Sequence, residues 1–168
     1  MSRSASRKHV AAAAALTGAV VTFTVGAPQA SATPQDDLWN LFNQQHVSAG
    51  CAPYNMSGVL GQTAGDIART MLNPPGGIAG NGRVPADQML AGKGYFVKSW
   101  AEADYLNPNG GSPQDAMNFW RSQNTKGIFP NCDMHDLGTG VWIQNGKWAA
   151  VAVTATSGGT PPAPPVVH

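Results

Sequence analysis

The sequence predicts an α+β domain, a three-layer α-β-α sandwich around a central, mainly antiparallel sheet. Two observations carry that prediction. The first is the stretch from Leu137 to Thr154, two apolar runs joined by Asn145-Gly146. Asn-Gly supplies the positive φ that both central positions of a type I′ hairpin turn require. Such a turn sets Gln144 opposite Lys147, Ile143 opposite Trp148 and Val141 opposite Ala150. One face then carries Val141, Ile143, Trp148, Ala150 and Ala152, and the other Trp142, Ala149, Val151 and Val153. A sheet with one wet side would alternate with polar residues, so this one is expected to be covered on both sides, most simply by helices. The second observation is that capped helical stripes occupy the start and middle of the chain, ahead of the hairpin.

The elements follow in order. Arg3, Arg7 and Lys8, an apolar run from Val10 to Val25, and Ala30-Ser31-Ala32 form a secretory leader with an A-x-A cleavage site, so residues 1–32 are read as an address. The expected domain is 33–155. Asp36 or Asp37 is expected to cap a first helix with Leu38, Leu41, Phe42 and Ala49 on one side, ended by Gly50. Ser57 caps a second, whose stripe of Leu60, Ala64, Ile67, Ala68, Met71 and Leu72 stops at Pro74-Pro75. Gly76 to Gly82 is a flexible loop without the Lys-Ser/Thr of a phosphate-binding loop. Pro85 to Ala91 gives a short helical turn, and Tyr95 to Trp100 a strand. Ser112-Pro113 with Asp115 opens a helix burying Ala116, Met117, Phe119 and Trp120. Residues 156–168, with Gly158-Gly159 and the Pro161–Pro165 run, are expected to form a disordered or polyproline tail.

Composition excludes several partners. Taking the 32-residue leader from the 168 residues leaves 136, with seven Lys and Arg against nine acids, a net charge of −2. Sparse charge without a basic cluster argues against nucleic acid or an anionic membrane. No second hydrophobic stretch follows the leader, so no transmembrane segment is expected after cleavage. Cys51 and Cys132 are an even pair in an exported chain, which favours a disulfide. The competing use, two free thiols in a redox or metal role, lacks a C-x-x-C spacing and a nearby His pair.

The order of parts resembles the secreted cysteine-rich, antigen 5 and pathogenesis-related group, the CAP or SCP-like domain, with short bacterial members nearest. Asn43 followed by Ala49-Gly50-Cys51-Ala-Pro53 resembles the family opening "N…R…aGC.PL". Ser57 to Leu72 resembles its second helix, and Lys93-Gly94-Tyr95 its "aGY". Ser112 to Ser122 resembles the "pe.av..W..S" helix, and Leu137-Gly-Thr-Gly-Val141 the "iGvGv" strand. The match runs from residue 36 to residue 155. It implies the α-β-α sandwich and an extracellular or cell-surface location. Many members also hold two histidines and one or two acids in a cleft, where some bind a divalent cation. This chain departs there: Asn73-Pro74-Pro75 and Thr125 or Lys126 stand at the histidine positions, and none lies between His46 and His135. His46 itself stands where the opening usually has Arg. The resemblance therefore implies a degenerate member without the metal tetrad.

Few residues are left for chemistry. Glu102, the only glutamate, falls near the acid of the family's "GEN" motif, and Asp104 two residues on could pair with it for acid–base work. Asp133-Met-His135-Asp136 is either a His oriented by a carboxylate or a partial metal site, or else a turn before the last strand, the turn favoured because neighbours in an extended segment point apart. His46 reads as a core-edge histidine, and the five tryptophans mostly as core. No nucleophile elbow is present. The expectation is an exported, non-enzymatic ligand-binding or interaction module of the cell envelope or extracellular space. It would need no cofactor and no metal, and would take a small apolar ligand or a cell-envelope or protein partner. The alternative is an acid–base or metal-assisted hydrolase using Glu102, Asp104 and His135.

Overall fold

The computed structural model describes residues 32–74, 83–123, 128–159 and 161. The leader before residue 32, the Gly76–Gly82 loop, Thr125, Lys126 and nearly all of the proline-rich tail lie outside the described residues. Among the described residues four helices and four strands follow in the order α1 (Pro34–Ser48), β1 (Asn55–Met56), α2 (Gly58–Leu72), α3 (Ala86–Gly92), β2 (Val97–Asn107), α4 (Pro113–Ser122), β3 (Asp136–Gln144) and β4 (Lys147–Ser157). The sheet order is β1-β3-β4-β2, with β1 parallel to β3 and the other pairs antiparallel. Among the described residues no helix is long and apolar enough to cross a membrane.

The hairpin forms in the expected register: Gln144 pairs with Lys147, Ile143 with Trp148 and Val141 with Ala150. Asn145 (φ 52°) and Gly146 (φ 75°) make the turn. Parity then sorts the core into two layers. Leu137, Trp148, Ala150 and Ala152 join Leu38 and Phe42 of α1 and Ala116, Met117 and Trp120 of α4. Ala149, Val151, Val153 and Ala155 join Leu60, Ala64, Ile67 and Ala68 of α2 and Ala86 and Leu90 of α3. The three-layer sandwich follows.

The structure differs from the sequence reading in six places. Thr33, not Asp36 or Asp37, caps α1: its hydroxyl accepts from Asp36 N–H while Asp36 accepts from Thr33 N–H, a reciprocal capping box. The strand opening at Tyr95 instead begins at Val97 and runs to Asn107, so Glu102 sits inside it and not beyond its end. Phe119 is exposed, because α4 turns only its Ala116, Met117 and Trp120 side to the sheet. The sheet is covered on both faces along β4, but the turn end of β3 is not: Trp142 and Ile143 are 39% and 58% exposed. Trp100 is also exposed and Trp39 only half-buried, so Trp120 and Trp148 alone are core tryptophans. Finally, β4 continues to Ser157, two residues into the expected tail, and Gly158 and Gly159 both donate to Phe96 O.

Cys51 and Cys132 form a disulfide across a sequence separation of 81. It ties the turn after α1, where Gly50 takes φ 91°, to the segment that leads into β3. Closing a loop of that length removes roughly 4–5 kcal/mol of unfolded-chain entropy.

Candidate functional site

Two places concentrate polar chemistry. The first is a cleft of about 510 Å³ along the outer edge of β3, walled by α1 and α2. From α1 come Gln35, Asp36 and Trp39, whose indole N–H points to Leu137 O at 3.4 Å. From α2 come Gly58, Gly61, Gly65, Asp66 and Arg69, with Gly61 and Gly65 bordering the Leu60–Ala68 stripe where the helix meets β3. From β3 come Gly138, Thr139, Val141 and Trp142. Asp66 pairs with Arg69 at 2.9 Å and Lys93 at 3.2 Å, and the Arg69 guanidinium stands 5.8 Å over the Trp142 ring. The volume falls in the ordinary range of small-ligand sites, with aromatic walls and a few fixed charges.

The second place is an ion triad on the α3 side of β2. Arg83, just ahead of α3, donates to Asp104 at 2.6 Å and to Glu102. Glu102 is nearly enclosed, with its side chain 8% exposed, while Arg83 and Asp104 lie at the rim. Glu102 Oε2 and Asp104 Oδ1 are buried without hydrogen-bond partners among the described residues. Burial first, and then the adjacent Asp104 carboxyl, push the Glu102 carboxyl up to about 8 against the pull of Arg83. Between 4.5 and about 8 the folded chain thus holds a proton that the unfolded chain has released, so this group makes stability fall as pH rises through that window. Glu102→Gln is expected to remove the fall, gaining about 1–2 kcal/mol near pH 8 after discounting for the solvent-exposed rim and little near pH 4. Thermal midpoints across the range check it; parallel profiles would mean that Glu102 stays ionised beside Arg83.

Of the three acid–base candidates, the structure brings together Glu102 and Asp104 and leaves His135 out. His135 is exposed, just before β3, and bonds through its backbone: its N–H donates to Ala155 O and its C=O accepts from Asn55 N–H. Its neighbours diverge. Asp133 N–H bonds the Asn131 side chain, Met134 is buried, and Asp136 accepts from the Tyr95 hydroxyl at 2.5 Å. His46 is buried, with Nδ1 2.8 Å from Phe129 O and its ring stacked on Tyr54. Asn73, at the first family histidine position, bonds Gln144 at 2.6 Å. Among the described residues, no three His, Cys, Asp or Glu side chains converge as a metal site would need.

Sequence reasoning missed Arg83 and the cleft. Arg83 carries no local signal, being a lone cation 19 residues from Glu102. The cleft had one: the α2 glycines Gly58, Gly61 and Gly65 share a face with Asp66 and Arg69.

No protein-family model matches the chain, and no curated protein matches its sequence. Solved structures do. An extracellular protein with an SCP domain from Bacillus anthracis superposes with TM-score 0.58 at 11% identity, over 71% of this chain and 40% of that one. An outer surface protein of Borrelia burgdorferi gives 0.59 at 12% identity, over 76% of this chain and 97% of that one. A cysteine-rich secretory protein of Staphylococcus aureus gives 0.50 at 11%, over 71% and 38%. The fold is SCP/CAP-like, and this chain spans about two-fifths of the length of the Bacillus and Staphylococcus proteins.

Proposed function

We propose that this chain is an exported, non-enzymatic ligand-binding or interaction module of the cell envelope or extracellular space, with the α1–α2–β3 cleft as its binding site. The observation that carries the reading is the cleft's make-up: exposed indole surface at Trp142 and half-buried Trp39 beside Asp66, Arg69 and Lys93, with no nucleophile–base pair among the described residues. The leader in the sequence, the disulfide and the extracellular description of the SCP-domain protein from Bacillus anthracis support export. An unbiased mass-spectrometric search for molecules co-purifying with the exported chain tests it. A molecule enriched on the wild type is expected to fall at least tenfold on Trp142→Ala, since an exposed indole can be removed without opening the core. Identical profiles for the two proteins would remove the cleft as the site.

A second reading, acid–base hydrolysis, is favoured by one observation, the raised Glu102 carboxyl beside Asp104. It would use Glu102 as the acid and Asp104 as the base, without His135. Hydrolytic activity abolished by Glu102→Gln and untouched by Trp142→Ala would select it.

A further inference from the structure

We infer that the cleft takes an extended peptide, which adds to the sheet as a strand along the outer edge of β3. The inference rests on the cleft being the binding site and names what it binds.

β1 covers only Asp136 and Leu137 of β3. Its bonds run from Asn55 N–H to His135 O at 2.8 Å, with Ser57 N–H following to Leu137 O at 3.1 Å. Odd-numbered residues of β3 therefore turn their backbone outward, and the two-residue turn agrees, because it makes Gln144–Lys147 and every second pair from there the bonded ones with β4. By the same alternation Val141 and Ile143 present N–H and C=O outward, beyond the end of β1. No strand among the described residues pairs with them. At Thr139 the edge is closed, since that residue is buried with its hydroxyl 3.1 Å from Gln35 O. From Val141 to Ile143 it is open, and Trp142 and Ile143 are exposed there.

Open edges are usually defended by charge, proline or a bulge. The other outer strand, β2, has such defences: Lys98, a register shift between Val97 and Ser99, and the Arg83 ion pairs. β3 has none of them from Leu137 to Gln144, and its pairing with β4 is unbroken. Instead α1 and α2 flank it, and the bare backbone of Gly61 and Gly65 puts no side chain into the cleft there. Strand addition draws affinity from such backbone groups and specificity from alternating side-chain contacts. Here those contacts would be Trp142 on the α2 face and Val141 with Ile143 on the α1 face, so the occupant is a peptide with apolar side chains and no proline at its paired positions. The chain's own tail fits poorly, because Pro161, Pro162, Pro164 and Pro165 lack the N–H groups a ladder needs.

Selection of random decapeptides on the immobilised exported chain, followed by hydrogen exchange of the selected complex, tests the inference. In the free protein the amides of Val141 and Ile143 are expected to exchange fast and those of Gly140 and Trp142 slowly. Bound peptides are expected to be proline-poor and to slow Val141 and Ile143 at least tenfold. N-methylation of alternate peptide residues should abolish binding in one register and spare it in the other. Failure to select any peptide, or a peptide that binds without protecting those two amides, overturns strand addition. So does a concentration-dependent dimer that protects them and is lost in Ile143→Lys, which would assign the edge to a second copy. If a co-purifying molecule still depends on Trp142 while no peptide binds, the cleft remains a binding site and only its occupant is wrong.

Discussion

Gly140→Ala is expected to destabilise the fold by about 3 kcal/mol or more, enough to leave little folded chain, whereas Gly65→Ala is expected to stabilise it by up to about 1 kcal/mol. A Cβ on Gly140 would lie 2.2 Å from Gly65 N and 2.3 Å from Ala64 C, and one on Gly138 2.1 Å from Gly61 N. These are backbone atoms of α2, which cannot rotate aside. The pairing of Gly61 and Gly65 with Gly138 and Gly140 is a matter of matched rise: four helical residues advance about 6 Å and two strand residues about 6.7 Å. Helix and strand thus touch at two successive points, and separating them would open the layer holding Leu60, Ala64 and Val151. Seen from the helix the same contact is harmless, since a Cβ on Gly65 meets nothing within 4 Å and points toward the cleft. Urea titration of the two variants checks this. Comparable small losses would mean that α2 can lift off β3 without disturbing the core.

That contact shows where a sequence is legible. Caps and turns are local chemistry, so Ser57, Ser112 and Asn145-Gly146 marked their elements without help from the fold. Side-chain parity assigned the two faces of β4 correctly, because period two is fixed by the backbone. Parity does not say how far a covering helix extends, and so the exposed end of β3 was read as buried. The Ala101-Glu102-Ala103-Asp104 stretch has weak strand propensity and two acids. It is a strand because β4 pairs with it throughout and Arg83 bonds both its acids, both tertiary facts. Only the α2 wall of the cleft is local in sequence; its α1 and β3 walls are not, since Gln35 and Thr139 meet across 104 residues of chain.

Trp148→Ala is expected to cost about 3–5 kcal/mol, while Ile143→Ala, its partner across the hairpin, should change stability by less than about 0.5 kcal/mol. The sequence alone places both in a covered sheet and predicts a cavity between them. The structure separates them, since Trp148 is 3% exposed and Ile143 58%. What Trp148 fills lies on the other side: its ring meets Tyr105 edge-on at 5.6 Å and crowds Gly111, where a Cβ would stand 3.1 Å from it. Gly111 opens the turn into α4, and Tyr105 in turn contacts Phe119 on that helix. Removing the indole therefore empties the joint between β4, β2 and α4. Urea titrations of both variants decide the point. Equal losses would place the weight of the hairpin at its exposed turn end, and a changed denaturant slope for Trp148→Ala alone would show that α4 comes loose before the sheet does.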